Sequence, residues 1–265
     1  MNAVLPEGKP ATADEADLER RFGGLRRLYG DAAYARLRAA RVAVIGLGGV
    51  GSWAAEALAR CGVAKLVLVD MDHVAESNIN RQVQALGRSL GQAKVDALAE
   101  RLADIHPGCQ LQRVDDFASA GNWPALIGGL DAVDGVIDAC DQVSAKLALA
   151  STARATGHPL LIVGAAGGKR QAQHLEVADL SEASHDPLLA SLRQRLRQRH
   201  GAPRKGSMGL SCVFSRETMS RPAPEGACAS DGSLNCHGYG SSVMVTASFG
   251  MAAAGALIER LLQRP

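Results

Sequence analysis

The chain has 265 residues, a formal net charge of +2 and 47% hydrophobic residues. That length and apolar content are enough for a full core in one large domain or two small ones. Because the charges nearly balance, a protein that is basic throughout is excluded, and any contact with nucleic acid must be a local patch. The six cysteines include no C-x-x-C pair. This argues against a zinc site and a disulfide framework, and is typical of a reduced cytoplasmic enzyme.

The first part of the chain predicts alternating strands and helices. Residues 1–17 are polar and acidic, and we expect a disordered leader there. Apolar positions at helical spacing predict short helices over 18–40. Strands are then predicted at 41–45, 65–70, 110–114, 135–138 and 160–163, with helices at 50–60, 91–106, 120–128 and 142–156. The fold class is therefore α/β: a doubly wound, mostly parallel Rossmann-like sheet, with a nucleotide-binding core over 18–168.

After Gly168 this alternation ends, and we expect 169–265 to serve substrate binding and dimerisation within the same domain. The pattern predicts strands at 172–178 and 212–214, a basic amphipathic helix at 187–200 and a last helix over 241–263. Residues 232–258 contain no Asp, Glu, Lys or Arg. Their many small residues favour a buried helix over a membrane span, so we expect a cytoplasmic protein with no obligate membrane partner. Membrane association through 241–258 is the lesser alternative.

A glycine-rich loop follows the first predicted strand directly and opens a helix. It reads Gly46-Leu-Gly48-Gly49-Val-Gly51. Glycines in this context let backbone amides approach a pyrophosphate at a helix N-terminus. Asp70 ends the second strand, where an acid can accept hydrogen bonds from ribose hydroxyls. The sequence therefore predicts a bound nucleotide.

The residues after Asp70 bear on which nucleotide is bound. Arg81 and Lys94 follow in a stretch that is also rich in amides. Cationic groups beside the phosphates suit phosphoryl or nucleotidyl transfer, in which negative charge builds on phosphate oxygens. A dinucleotide-dependent oxidoreductase, which such a loop alone would favour, is the alternative.

The sequence resembles the E1-like adenylating enzymes, a group that includes ubiquitin-activating enzymes and the bacterial activators of thiamine and molybdenum-cofactor synthesis. The resemblance rests on the glycine loop, D-x-D-x-V at 70–74, S-N-x-x-R-Q at 77–82, G-Q-x-K at 91–94 and D-A-x-D at 138–141. It implies ATP as the nucleotide. The implied ATP-binding residues are Gly46, Gly48, Gly49, Gly51, Asp70, Asp72, Asn78, Arg81 and Lys94.

The resemblance also implies catalytic roles for Arg21, Arg81, Lys94 and Asp141. Asp141 would hold Mg²⁺, and Arg21 would reach the site from the partner subunit of a homodimer. For Asp138 and Asp141 the alternative is helix capping after a strand. Those E1-like relatives that activate sulfur carriers generally have two C-x-x-C pairs for zinc, whereas this chain has none, so we expect no zinc.

A closer likeness is to the tRNA threonylcarbamoyladenosine dehydratase branch, also described as associated with a cysteine desulfurase. It runs from Arg21 to about Leu262 and is carried by 21–30, 51–60, 186–188 and 231–250. It implies ATP-dependent cyclisation of the threonylcarbamoyl group on adenosine 37 of tRNA. A cysteine desulfurase is then an expected partner, and Cys228 a candidate sulfur acceptor; Cys236 lies in the same polar region, and a small buried cysteine is the alternative.

The predicted basic helix supports a polyanionic substrate. From Pro187 to Arg216 the chain has no acidic residue. We expect Leu188, Leu189, Leu192 and Leu196 to pack inward, and Arg193, Arg197 and Arg199 to project outward. The tRNA-contact candidates are Arg193, Arg197, Arg199, Arg204 and Lys205. For the helix, a merely solubilising face is the alternative. For the function of the whole chain, the alternatives are activation of a sulfur-carrier protein and a non-catalytic scaffold.

Overall fold

The computed structural model describes residues 17–220 and 239–263. The helices are α1 (Leu18–Tyr29), α2 (Asp31–Ala39), α3 (Gly51–Arg60), α4 (Lys94–Ile105), α5 (Val143–Thr156), α6 (Pro187–Arg199) and α7 (Val243–Leu262). The strands are β1 (Arg41–Ile45), β2 (Lys65–Val69), β3 (Gln110–Val114), β4 (Gly135–Asp138), β5 (Leu160–Val163), β6 (Leu175–Asp179) and β7 (Ser211–Ser215).

Within the described residues the strands form one sheet in the order β3-β2-β1-β4-β5-β7-β6. All neighbours are parallel except β6, which runs antiparallel to β7 at one edge. The chain builds outward from β1 in one direction through β2 and β3, and then in the other through β4 and β5. In open α/β sheets ligands bind at such a reversal, outside the carboxyl ends of the strands. Here that position lies above Ile45 and Asp138, which are neighbours in register.

The central strands are buried along almost their whole length, because helices cover both faces of the sheet. One apolar cluster joins the sheet to α3, α4 and α7, and a second joins it to α5 and α6. The runs of Val, Ile and Leu in these strands thus reflect burial on two sides. The predicted fold class is confirmed.

Helix α7 packs against α3, the helix that follows the glycine loop. At Gly250 a Cβ would lie 2.5 Å from the carbonyl oxygen of Val50, so the two helices touch through their backbones. By length and apolarity α7 qualifies as a candidate membrane span, but half of its apolar window is buried inside the protein. Phe249, Ala253 and Leu257 lie in the core.

Two predicted elements differ from the structure. The helix predicted at 120–128 is wrong, since that stretch holds only a short 3₁₀ turn, Ala125–Ile127. Pro124 has no backbone N–H to give to a helix, and Gly128 adopts a φ of 83°. Near the sheet edge, the first part of the predicted strand 172–178 is a 3₁₀ turn at Ala172–His174, and β6 begins at Leu175. Of the proposed leader, residues 1–16 lie outside the described residues, as do Cys228 and Cys236; Asp17 caps α1.

Candidate nucleotide site

The glycine loop makes a tight turn between β1 and α3. Gly46 has a φ of 87°, and its amide donates to the carbonyl of Val69 at 2.8 Å. A Cβ at Gly46 would lie 2.9 Å from the Ala139 backbone, and a Cβ at Gly51 would overlap the Gly46 carbonyl oxygen. Side chains are therefore excluded at both ends of the loop.

The middle of the loop has a different environment. A Cβ at Gly48 would meet no protein atom within 4 Å, so this glycine faces open space. A Cβ at Gly49 would lie 3.1 Å from Thr246 and 3.3 Å from Arg81. No side chain caps the N-terminus of α3. The positive end of the helix dipole is thus available to an anion beside Gly48.

Asp70, Asp72 and Lys94 form a charged cluster behind the loop. The Asp70 carboxylate accepts the Leu47 amide at 2.6 Å and the Asp72 amide at 2.9 Å. Lys94 Nζ lies 2.6 Å from Asp72 Oδ2 and 3.7 Å from Asp70 Oδ1. Burial raises the pKa of Asp70, while Lys94 and the two amide hydrogen bonds act to lower it. The cluster holds Asp70 at the end of β2 and pairs Lys94 with Asp72, whose side chain is exposed.

Asn78 and Arg81 lie on the other side of the loop. Asn78 is buried, and its Oδ1 accepts the Ala75 amide at 3.1 Å, so this side chain shapes the turn that it ends. Arg81 is half-buried, and its Nη1 donates to the Ser77 carbonyl at 2.6 Å and to Asn80 Oδ1 at 2.9 Å. A Cβ at Gly49 would lie 3.3 Å from Arg81 Cγ, so the aliphatic part of this side chain borders the glycine loop.

Three further side chains that sequence reasoning missed hold this arrangement. Trp53 Nε1 donates to the Arg81 carbonyl at 2.9 Å, and Thr246 Oγ1 lies 3.5 Å from the same oxygen. Gln84 Nε2 donates to the Leu47 carbonyl at 2.8 Å. Trp53 and Gln84 stand close to sequence motifs and could have been suspected; nothing in the sequence links Thr246, in α7, to the loop.

The end of β4 adds two carboxylates with different environments. Asp138 is fully buried, and Lys146 Nζ lies 3.0 Å from its Oδ1. Asp141 is exposed. The amide of Ala139 donates to the Ile45 carbonyl at 2.8 Å, which places the segment leading to Asp141 alongside the glycine loop. Helix capping, the alternative for both acids, is wrong: Gln142 is the N-cap residue of α5, and no side chain caps it.

Arg21 lies away from this cluster within one chain. Its Nη1 donates to the carbonyls of Asp104 and Ile105, both at 2.8 Å, at the C-terminal end of α4. Lys94 begins the same helix ten residues earlier, which corresponds to about 15 Å. The structure thus links Asp70, Asp72 and Lys94 to the glycine loop through the Leu47 amide, and Arg81 borders Gly49. Asn78 lies in the turn before Arg81, the backbone before Asp141 runs beside Gly46, and Arg21 lies apart.

Comparisons with known proteins show the family of this chain. The family model described as ThiF family matches residues 21–265. The chain belongs to the ThiF family. The tRNA threonylcarbamoyladenosine dehydratase of Escherichia coli is 40% identical over 254 residues, covering 92% of this chain and 94% of the relative. That of Haemophilus influenzae is 38% identical, covering 93% and 95%.

Solved structures of this ThiF-family branch superpose closely. The E. coli tRNA N6-threonylcarbamoyladenosine dehydratase in complex with ATP gives a TM-score of 0.83 at 39% identity, covering 93% of this chain and 96% of the other. The same enzyme in complex with AMP gives the same values. The predicted family resemblance is confirmed.

The basic helix of this ThiF-family chain differs in part from its prediction. Leu189, Leu192 and Leu196 are buried as expected. The expectation that Arg193 and Arg197 project outward is wrong. Arg193 Nη1 donates to the carbonyls of Leu180 and Ala183 at 3.0 and 2.6 Å. Arg197 donates to the carbonyls of Pro203 and Arg204 at 3.1 and 3.3 Å, because the chain turns back over the helix end.

Arg199, Arg204 and Lys205 are exposed, as predicted; Arg199 ends α6, and the other two lie on the loop that follows it. The Asp179 carboxylate accepts the amides of Met208 and Gly209, each at 2.9 Å. Burial acts to raise its pKa, but hydrogen bonds from Met208, Ser181 and Ser207 hold that pKa far below the usual range. This loop precedes β7 and therefore lies at the amino edge of the sheet. The glycine loop lies at the opposite, carboxyl edge.

Proposed function

We propose that the chain is an ATP-dependent tRNA threonylcarbamoyladenosine dehydratase that cyclises the threonylcarbamoyl group on adenosine 37. One observation carries the proposal. The glycine loop, Asp70, Arg81 and Lys94 meet at the reversal point of the sheet, in a chain that matches an ATP-bound dehydratase over 93% of its length. The proposed reaction uses ATP to activate a carboxylate that is carried on a tRNA.

The reaction has two steps. An oxygen of the threonyl carboxylate attacks the α-phosphorus of ATP, and pyrophosphate leaves, giving an acyl-adenylate. A nitrogen or oxygen of the same threonylcarbamoyl group then attacks the activated carbonyl, loses its proton and expels AMP. The oxygen removed from the substrate leaves in AMP, so the modified adenosine loses one water overall. Because the second attack is intramolecular, its high effective molarity requires little of the protein beyond positioning.

The residues of the glycine-loop region share the electrostatic work. The N-terminus of α3 faces the phosphates, while Lys94 exchanges Asp72 for a phosphate oxygen and Arg81 stabilises the charge that develops during pyrophosphate release. Asp70 accepts from the ribose hydroxyls. Asn78 supports the turn on which Arg81 lies.

Mg²⁺ fits the donor set at the end of β4. Mg²⁺ usually binds through one or two carboxylates together with substrate phosphates. Asp141 supplies one exposed carboxylate beside the phosphate loop, and the described residues hold no group of three or more His, Cys, Asp or Glu side chains that could bind a metal by itself. Asp141 would hold the ion, which when bound neutralises charge on the triphosphate.

We further propose a homodimer in which Arg21 of one subunit completes the site of the other. The support is the position of Arg21 at the far end of α4, about 15 Å from Lys94 within the same chain. The tRNA contacts proposed are Arg199, Arg204 and Lys205. The association with a cysteine desulfurase and the sulfur-acceptor role of Cys228 stay predictions.

The test is mass spectrometry of tRNA nucleosides after incubation with the protein and ATP. Loss of one water from threonylcarbamoyladenosine, dependent on ATP, is the expected result. Omission of ATP is the control for non-enzymatic cyclisation. ATP–pyrophosphate exchange that depends only on a sulfur-carrier protein, and not on modified tRNA, would contradict the proposal.

A further inference from the structure

Two opposite charges lie completely buried beneath the nucleotide site. Asp138 ends β4 and Lys146 lies in the first turns of α5, and both side chains are 0% exposed. Lys146 Nζ donates to Asp138 Oδ1 at 3.0 Å and to the Asp138 carbonyl at 3.2 Å. Burying two charges costs much of the energy that their attraction returns, so an apolar pair of the same volume would be at least as stable. Stability alone therefore does not explain the pair.

The pair determines the path of the chain after β4. Asp138 Oδ1 also accepts the Cys140 thiol at 2.8 Å and lies 3.3 Å from the Cys140 amide. On the other side, Ala139 is hydrogen-bonded to Ile45 and packs on Gly46. The next residue is Asp141. Thus the position of Asp141 relative to the glycine loop is set by a turn that the Asp138 carboxylate closes.

Lys146 and Cys140 both donate to Asp138 Oδ1, and the turn depends on both donors. Burial lowers the pKa of Lys146, but the adjacent Asp138 carboxylate raises it above its ordinary value, so the ammonium stays charged. The Cys140 thiol donates to the same carboxylate oxygen at 2.8 Å, so a second side chain closes the turn. An apolar residue in place of Lys146 would leave the carboxylate without its counter-charge. The carboxylate oxygen that closes the turn would lose its ammonium donor, and the turn would loosen.

We propose that Lys146 and Asp138 are positioning residues that hold Asp141 beside the glycine loop, so that the site binds Mg²⁺·ATP in preference to ATP alone. This inference rests on the magnesium role assigned to Asp141 above. Neither residue needs to contact the nucleotide.

The chain offers a matched control for the loss of a buried ion pair. Glu56 in α3 is 3% exposed, and Arg101 of α4 donates to it at 2.5 Å. This pair joins two helices and makes no hydrogen bond to the segment 138–141 within the described residues. Arg60 also pairs with Glu56, at 2.8 Å, so Arg101→Met removes one of two ion pairs to a buried carboxylate, and Arg101→Met with Arg60→Met removes both. Neither variant touches the turn before Asp141.

The experiment is calorimetric titration of the full-length protein with ATP, with and without Mg²⁺. For the wild type we expect affinity to rise with Mg²⁺. Lys146→Met should reduce the Mg²⁺-dependent increase in affinity about tenfold, because loss of a group that supports a metal ligand commonly weakens metal binding by that much. It should leave the affinity for metal-free ATP within about twofold of the wild type. Arg101→Met should leave the gain unchanged. In an Asp141→Asn background, Lys146→Met should have no further effect, because the two substitutions act on the same contact.

The inference is overturned if Lys146→Met lowers the affinities for ATP and Mg²⁺·ATP equally, if Arg101→Met reduces the gain as much, or if the effects of Lys146→Met and Asp141→Asn add. Asp138→Asn, which keeps the shape of the side chain, replaces Lys146→Met if that variant fails to fold. A wild type whose ATP affinity ignores Mg²⁺ would contradict the magnesium proposal itself. A wild type that responds, with a Lys146 variant that responds equally, would overturn this inference alone.

Discussion

The two edges of the sheet hold their charges in opposite ways. At the carboxyl edge Asp70, Lys94, Asp138 and Lys146 are buried or nearly so, and each has partners at defined distances. At the amino edge Arg199, at the end of α6, and Arg204 and Lys205, on the loop that follows, are exposed. Helix α6 spans the distance between the edges, about 20 Å for its 13 residues. At the carboxyl edge the loss of one side chain should disrupt the site. At the amino edge each exposed charge should add its own small contribution to binding.

The largest effect should come from the glycine loop. Gly51→Ala places a methyl group against the Gly46 carbonyl oxygen, so the loop must open, and we expect ATP affinity to fall about 100-fold. Gly48→Ala is the matched substitution, since open space surrounds Gly48. It should leave the melting temperature unchanged and weaken ATP by less than Gly51→Ala. Calorimetric titration together with thermal unfolding measures both, and equal losses of affinity would contradict the geometry.

Asp141→Ala should abolish most of the adenylation activity without affecting the fold. We expect kcat/KM to fall at least about 100-fold, since the carboxylate proposed to hold Mg²⁺ is removed. Because Asp141 is exposed, the free energy of unfolding should change by no more than about 0.5 kcal/mol. The measurement is nucleoside mass spectrometry over time, with denaturant unfolding as the control. Retained activity would mean that Asp141 does not hold a catalytic Mg²⁺.

Substitutions at the amino edge should weaken tRNA binding gradually and not abolish it. Replacing Arg199, Arg204 and Lys205 together by alanine should raise the KM for tRNA about tenfold and leave kcat unchanged. It should also lower the slope of log affinity against log salt by about two, as expected for three phosphate contacts. Arg193→Ala is the control: its guanidinium holds two carbonyls, so it should lower stability and leave the salt slope unaltered. An unchanged salt slope in the triple variant would mean that this loop serves solubility.

The smallest effect concerns an exception to the comparison, a buried histidine near the amino edge. Burial, and next the charge of Arg38, lower the pKa of His106 to about 4, below its ordinary value of 6.5. The unfolded chain therefore takes up this proton first. Its contribution to stability is complete above pH 6.5 and is lost as the pH falls towards 4, by about 1 to 3 kcal/mol. Denaturant unfolding of wild type and His106→Leu at both pH values should show a flatter dependence in the variant; parallel curves would contradict this.

Sequence reasoning predicted most of the sheet because its signals are local. Runs such as Val42 to Ile45 and Leu66 to Val69 are buried on both faces, and glycine or proline breaks punctuate them. The same holds for the nucleotide residues, which lie in motifs at the ends of adjacent parallel strands. The helix predicted at 120–128 failed because Pro124 and Gly128 outweighed the apolar spacing around them.

The remaining site features depend on tertiary contacts that no local pattern records. Arg193 and Arg197 have the helical spacing of a surface stripe, but loops return over α6 and offer carbonyls to both. Lys146 resembles any lysine of an amphipathic helix, yet the end of β4 covers it completely. Thr246 reaches the glycine loop from the far end of the chain.

The contact of Thr246 with the glycine loop bears on whether an active molecule can have α7 inserted in a membrane. Thr246 touches the space beside Gly49, and Gly250 lies against the backbone of α3, so α7 is part of the wall of the nucleotide site. A molecule with α7 inserted in a lipid bilayer would leave that wall open and remove the support behind Arg81. A molecule with this helix in a membrane could therefore not use ATP, although the helix is apolar enough to pack in a bilayer as well as in the core.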